Sequence, residues 1–195
     1  MIAWTIDAAR QSVELQRVIV STDNEEIARV SREYGAEVPF IRPTNLALDN
    51  SDHVAVVEHT LNWLEKHEGL DLDYVMLLQP TSPLRTADDI DACISLARTA
   101  ADAPAVVSVS AMSPHAYRLG DGGALERAMD VGESSPPLVA PNGAVYLNRV
   151  ASLRAERTFV PCGTLGYVMP SERSLDVDTE WDFALADAAL RRRSS

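Results

Sequence analysis

Lysine is almost missing from this chain of 195 residues: Lys66 is the only one, and the other 16 of its 17 basic residues are arginines. A phosphate-bearing ligand would therefore be held by arginines, backbone amides or a metal. Positive charge is scarce overall. Twenty-nine acidic residues leave a net charge of −12, which argues against a general binder of nucleic acid or of anionic membrane, since both carry a large basic surface. The single basic run, Arg191 to Arg193, reads as a solvated tail. No run of about 18 apolar residues occurs, so no transmembrane helix is expected. The opening MIAWTIDAARQ has neither the charged n-region nor the apolar stretch of a signal peptide. Only two cysteines are present, Cys93 and Cys162, and their separation excludes a zinc site by spacing. They are expected to be buried thiols in a reducing cytoplasm. His53, His59, His67 and His115 have no metal-ligand spacing and read as structural. No Ser-His-Asp or Cys-His arrangement can be argued.

What is present is a globular composition. The chain is 46% hydrophobic and 24% charged, which excludes global disorder. Its length suits one domain, here residues 1–195. The first two-thirds alternates short apolar runs with helical patterns. Helices are expected over 2–11, 25–34, 52–67, 86–98 and 181–190. Buried strands are expected over 17–21, 38–41, 74–78 and 105–110. Gly35 is placed to cap the second helix, and Thr86 with Asp89 makes a capping-box pattern for the fourth. Ser21, Thr22 and Asp23 end the first strand, where they could serve a site or cap the helix from Glu25; the cap is the favoured use. Strand and helix in alternation predict βαβ units, hence an α/β fold with a mostly parallel sheet and helices on both faces. Residues 113–160 are rich in Gly, Pro and Ser and read as an inserted arm, with short strands such as 144–147 and a tight turn at Asn142-Gly143.

Ligands of such sheets bind beyond the carboxyl ends of the strands. The strand over 74–78 runs into Gln79-Pro80-Thr81-Ser82-Pro83-Leu84-Arg85. Two prolines stiffen the loop. Gln79, Ser82 and Arg85 could line a pocket for an anionic, hydroxyl-rich ligand; equally, the loop is a rigid βα turn with Arg85 on the surface. A second constellation is Arg173-Ser174-Leu175-Asp176-Val177-Asp178-Thr179. In an extended segment Asp176 and Asp178 share a face, with Val177 turned to the core. Two such carboxylates can clamp a hard cation such as Mg²⁺ and leave positions for phosphate oxygens, or they can simply decorate a helix N-terminus. Thr179 with Asp182 makes a second capping-box pattern. Arg42 ends the strand over 38–41.

Together these segments resemble the acylneuraminate cytidylyltransferases, also called CMP-sialic acid synthetases. The resemblance rests on VIVSTDNEEIA (18–28), GAEVPFIRP (35–43), YVMLLQPTSPLRT (74–86), NGAVY (142–146) and SERSLDVDTEWDF (171–183), in order along nearly the whole chain. It implies a Rossmann-like nucleotide-diphospho-sugar transferase fold. It implies transfer of CMP from CTP to the anomeric hydroxyl of a nine-carbon 2-keto acid sugar, with release of pyrophosphate. Asp176 and Asp178 would carry a catalytic Mg²⁺. Gln79, Ser82, Arg85, Asn142 and Arg173 would face the sugar, and Arg42 the nucleotide. The chain would act in the cytoplasm as a homodimer whose arm, residues 113–160, reaches the neighbour's site. Neither a nucleic acid nor a membrane is implied as a partner.

The sequence departs from the family in two places. The family opens with a strand and a loop of the pattern R-x-G-S-K…K-N that holds the triphosphate, whereas Met1 to Ile6 match the helix after it. The expectation is that the native chain is longer and active, and that a central strand is missing from this one. The alternatives are a catalytically impaired homologue, acting as a dimer partner or sugar-acid binding module, or an enzyme that uses Arg85, Arg173 and metal in place of the loop. The segment before Asn142, Ser-Ser-Pro-Pro-Leu-Val-Ala-Pro, also lacks the basic pair common there.

Overall fold

The apolar run after Asp73 folds as β1 (Tyr74–Leu77), and its alternation sorts side chains onto two faces. Val75 and Leu77 pack with α3 (His53–Glu68) and α5 (Val150–Glu156). Met76 and Leu78 pack with α1 (Ile2–Gln11) and α4 (Ala87–Thr99). Both faces of the sheet are therefore covered by helices, as the sequence pattern implies. This is a computed structural model, and it describes residues 1–48, 50–113, 117–127 and 136–193. His115 lies outside the described residues. No described helix is long and apolar enough to cross a membrane.

The sheet contains β1, β2 (Ala105–Ala111), β5 (Val139–Arg149) and β6 (Leu165–Val168), in the order β1-β5-β2-β6. Strands β1, β2 and β6 run one way, and β5 runs against them between β1 and β2. The fold is thus α/β with a mixed sheet. The segment expected as an arm, 113–160, divides in two. Among its described residues, only β3 (Tyr117–Leu119) and β4 (Leu125–Arg127) form a separate hairpin. Residues 139–149 instead form an interior strand, because Ala144, Val145 and Leu147 are buried in the same core as Ile90 and Val106.

Four further expectations are corrected. Residues 17–21 and 38–41 form no strands; 17–21 makes one parallel bridge, Ile19 to Glu37 just before 38–41, held by Val20 N–H to Glu37 O (2.9 Å) and Glu37 N–H to Val18 O (2.8 Å). No described strand extends this bridge into a ladder, and β1 likewise pairs only with β5. Helix α2 (Glu25–Glu33) is capped by Asn24, whose side chain accepts from Glu26 N and Ile27 N, not by Ser21 to Asp23. Its exit runs through Tyr34, with Gly35 following at φ +86°. Asn142-Gly143 is not a turn but lies inside β5. Cys93 is buried as expected, with its thiol pushed up to about 12 by burial and by nearby Asp89, but Cys162 is exposed.

The last helix, α6 (Glu180–Arg193), starts with the capping box that the sequence predicts: Thr179 N–H and Oγ1 both donate to Asp182 Oδ2 (2.9 and 2.7 Å), and Asp182 N–H donates to Thr179 Oγ1 (3.2 Å). At its other end Arg193 Nη1 donates to Leu84 O (3.0 Å), so the basic run closes back on the loop after β1.

Candidate functional site

The site is built on an irregularity of β5. Val107 of β2 pairs with Tyr146, and Val109 pairs with Pro141. Ser108 alone therefore faces residues 142–145, a bulge of the kind that re-aims a strand. Ser108 fills the gap: its Oγ donates to Asn142 Oδ1 (2.6 Å) and accepts from Val145 N–H (2.8 Å). Gly143 sits at the crest with φ +79°, a left-handed conformation that glycine adopts without strain. A Cβ there would lie 2.6 Å from Gln79 Oε1, 3.2 Å from Ser82 Oγ and 3.3 Å from Asp176 Oδ2. Three of the residues singled out in the sequence thus converge on one glycine from two different loops.

The two loops are stitched directly. Val177 N–H donates to Thr81 O at 2.8 Å. Val177 is buried, as alternation requires, and its neighbours Asp176 and Asp178 are half-buried and exposed respectively. Asp176 Oδ1 is buried yet has no hydrogen-bond partner. A buried carboxylate oxygen without a partner is costly, and such an atom calls for a ligand. Among the described residues no group of three or more His, Cys, Asp or Glu side chains could hold a metal. A cation here would have the two aspartates and the oxygens of its own substrate, the pattern Mg²⁺ favours.

The arginines and Asn142 are placed differently. Arg85 is only 2% exposed. Its guanidinium donates to Ala144 O (2.5 Å), to Gln79 O (3.2 and 3.3 Å) and to Thr5 Oγ1 (2.9 Å). Burial pushes its pKa down to about 10, with Asp89 opposing, so it remains charged at neutral pH. It is not on the surface; its guanidinium ties the loop to β5 and α1. Arg173 makes a two-pronged ion pair with buried Asp89. The Asn142 amide is committed as well, accepting from Ser108 Oγ and Ala144 N–H (3.2 Å) and donating to Ser174 Oγ (3.2 Å). Ser82 is buried, and its Oγ donates to Asn142 O at 3.4 Å. Arg42 stands apart: its guanidinium lies 3.6 Å from Asp23 and its backbone N–H donates to Thr22 O (2.8 Å), while its Nε is buried without a partner.

Tyr146 and Gly143 belong to the site, although neither was singled out as a site residue from the sequence. Burial and then the charge of Asp176 raise the Tyr146 phenol above its usual range, with a Gly143 backbone hydrogen bond pulling the other way. It therefore stays a proton donor at neutral pH. Both residues lie in the NGAVY run, but the bulge that aims them is a property of strand register, which spacing does not reveal.

The fold is thus an α/β one whose mixed sheet carries a polar cluster where two loops meet at the end of β1, an architecture shared with solved nucleotidyltransferases. A solved structure of CMP:2-keto-3-deoxy-manno-octonic acid synthetase complexed with CTP superposes with a TM-score of 0.67 at 14% identity, over 98% of this chain and 88% of that one. Residues 1–131 match the cytidylyltransferase family. The chain is 31% identical over 199 residues to CMP-N,N'-diacetyllegionaminic acid synthase of Legionella pneumophila, covering 97% of itself and 84% of that protein. It is 31% identical over 201 residues to N-acylneuraminate cytidylyltransferase of Escherichia coli, of which it spans 46%. The chain belongs to the cytidylyltransferase family.

Proposed function

We propose that this chain transfers CMP from CTP to the anomeric hydroxyl of a nine-carbon 2-keto acid sugar of the sialic acid type. The oxygen–phosphorus bond to the sugar forms, the hydroxyl proton is lost, and the bond between α- and β-phosphates breaks to release pyrophosphate. The observation that carries this reading is the convergence of Gln79, Ser82 and Asp176 on Gly143, with Asp176 Oδ1 buried and unpartnered. Family membership supplies the reaction class.

In this reading Gln79 and Tyr146 orient the sugar by hydrogen bonding, and Gly143 lets the backbone come close to it. Ser82 and Asn142 hold the crest of the bulge from behind. Arg42, with a buried and unpartnered Nε, faces the nucleotide. Asp176 and Asp178 hold a divalent cation, Mg²⁺ by the chemistry of hard oxygen donors, which supplies charge neutralisation at phosphate oxygens. Catalysis of this kind is mostly positioning and electrostatic stabilisation.

The hairpin of β3 and β4 supports a homodimer. Leu119 and Leu125 face each other across it and are 77% and 69% exposed, an apolar pair suited to a second copy of this chain. The cytoplasm, where CTP is made, is the compartment that suits this reaction.

The deciding experiment measures pyrophosphate release by this chain with CTP, Mg²⁺ and a panel of neuraminic, legionaminic and pseudaminic acids. Release with one sugar supports the proposal and names the substrate. No release, with the sugar acid nevertheless bound by folded protein, replaces it with a binding-module reading.

A further inference from the structure

Asp89 is completely buried, and five hydrogen bonds converge on its carboxylate. Thr86 N–H and Oγ1 donate to Oδ2 at 3.0 and 2.9 Å, which closes the capping box of α4. Tyr167 OH of β6 donates to Oδ1 at 3.1 Å. Arg173 then grips both oxygens, Nε to Oδ2 at 2.9 Å and Nη2 to Oδ1 at 2.7 Å. A planar guanidinium meeting a carboxylate in this way fixes orientation as well as distance.

The chain just beyond Arg173 gives this pair a further role. Residues 174–178 have no helix or strand of their own. Ser174 Oγ donates to Pro170 O (2.9 Å) and accepts from Asn142 Nδ2 (3.2 Å), and Val177 N–H donates to Thr81 O (2.8 Å). The segment carrying Asp176 and Asp178 is thus tied to β5 at Ser174, to the loop at Val177, and to α4 at Arg173. The α4 tie is the one made by charge. Helix α4 begins directly after residues 79–85, so the element that receives Arg173 also ends the loop bearing Gln79 and Ser82.

We infer that the Asp89–Arg173 pair is the positioning device that sets the Asp176–Asp178 segment against residues 79–82, so that Arg173 acts through the two aspartates rather than by touching substrate. This rests on the assignment of Asp176 and Asp178 as the cation-binding pair made above. The capping box alone needs only Thr86 and Asp89. The added Arg173 contact commits a permanent cation to the α4 tie, which a positioning role explains.

The test uses hydrogen exchange and Mn²⁺ titration on the full chain. Arg173→Met leaves Asp89 buried without its partner and can fail to fold. The double variant Asp89→Asn/Arg173→Gln removes both charges together, and Arg173→Lys keeps the charge without the fork. In the double variant the Val177 amide is expected to exchange at least tenfold faster while the Val106 and Val145 amides keep their protection. Mn²⁺ affinity is expected to fall about tenfold, with part of it restored in Arg173→Lys. Unchanged Val177 exchange in the double variant overturns the inference. Equal loss of protection at Val106, Val145 and Val177 overturns it too, in favour of a general role in the fold. A wild-type chain that binds no Mn²⁺ removes the cation assignment, while the exchange comparison still decides what the pair positions.

Discussion

Gly143 and Gln79 approach so closely that a methyl group on the glycine would stand 2.6 Å from the Gln79 side-chain oxygen. The contact joins a strand bulge to the loop after β1, and any side chain at 143 would have to push the end of Gln79 aside. Gly143→Ala is expected to lower stability by about 1–2 kcal/mol, because alanine is strained at positive φ. It should also swing the flexible end of Gln79 out of place. Urea unfolding reads the first effect. The second emerges as a KM for the sugar acid raised more than the KM for CTP.

Asp178 is exposed, and its removal leaves no cavity. Asp178→Ala is therefore expected to abolish metal-dependent turnover while the circular dichroism spectrum stays that of the wild type. A variant that loses both together would make Asp178 structural. Asp176→Asn should be milder for the fold than most substitutions of a half-buried aspartate, because Oδ1 has no hydrogen bond to lose.

Arg85 is the buried tie between three elements. Arg85→Met roughly keeps the volume but leaves the Ala144 carbonyl and the Thr5 hydroxyl without this donor, and the Gln79 carbonyl with only its 3.3 Å bond from Ser82 N–H. Unsatisfied buried acceptors of this kind cost about 1–3 kcal/mol each. A loss of about 3 kcal/mol or more is expected in urea unfolding. Retention of full stability would show that these groups find other donors.

The Asp89 carboxyl has a definite pH signature. Burial, the largest influence, works to raise its pKa, but the hydrogen bonds from Arg173 and Thr86 outweigh it and hold it below the usual carboxylate range. A group whose pKa is lower folded than unfolded stabilises the fold above its unfolded pKa, and loses that contribution as pH falls toward the folded value. The Asp89→Asn variant is accordingly expected to melt below the wild type at pH 7, and the gap should narrow below about pH 4. A gap that does not change with pH would mean that the charge of Asp89 is not what stabilises.

Much of this molecule is legible in the linear chain, and the reason is locality. Thr86 with Asp89 and Thr179 with Asp182 are capping boxes spanning three residues, and both form. The helices arise from a periodicity that needs no distant partner, and β1 and β2 arise from apolar runs long enough to be buried on both faces. The motif loops, too, are recognisable as Gln79 to Arg85 and Asp176 to Asp178. Three-dimensional packing settled matters that depend on partners far along the chain. Residues 17–21 have the composition of a strand but, among the described residues, find only the bridge at Glu37, since a strand exists through its neighbours and not through its own propensity. Ser108 opposes four residues of β5 because of register, and that register turns Asn142-Gly143 from an expected turn into the crest of the site. Arg85, Arg173 and Asn142 look alike in sequence as groups free to meet a ligand. Their fate was decided by acceptors and donors 34 to 84 residues away, for a buried charge or amide must satisfy its hydrogen bonds with whatever the fold brings beside it.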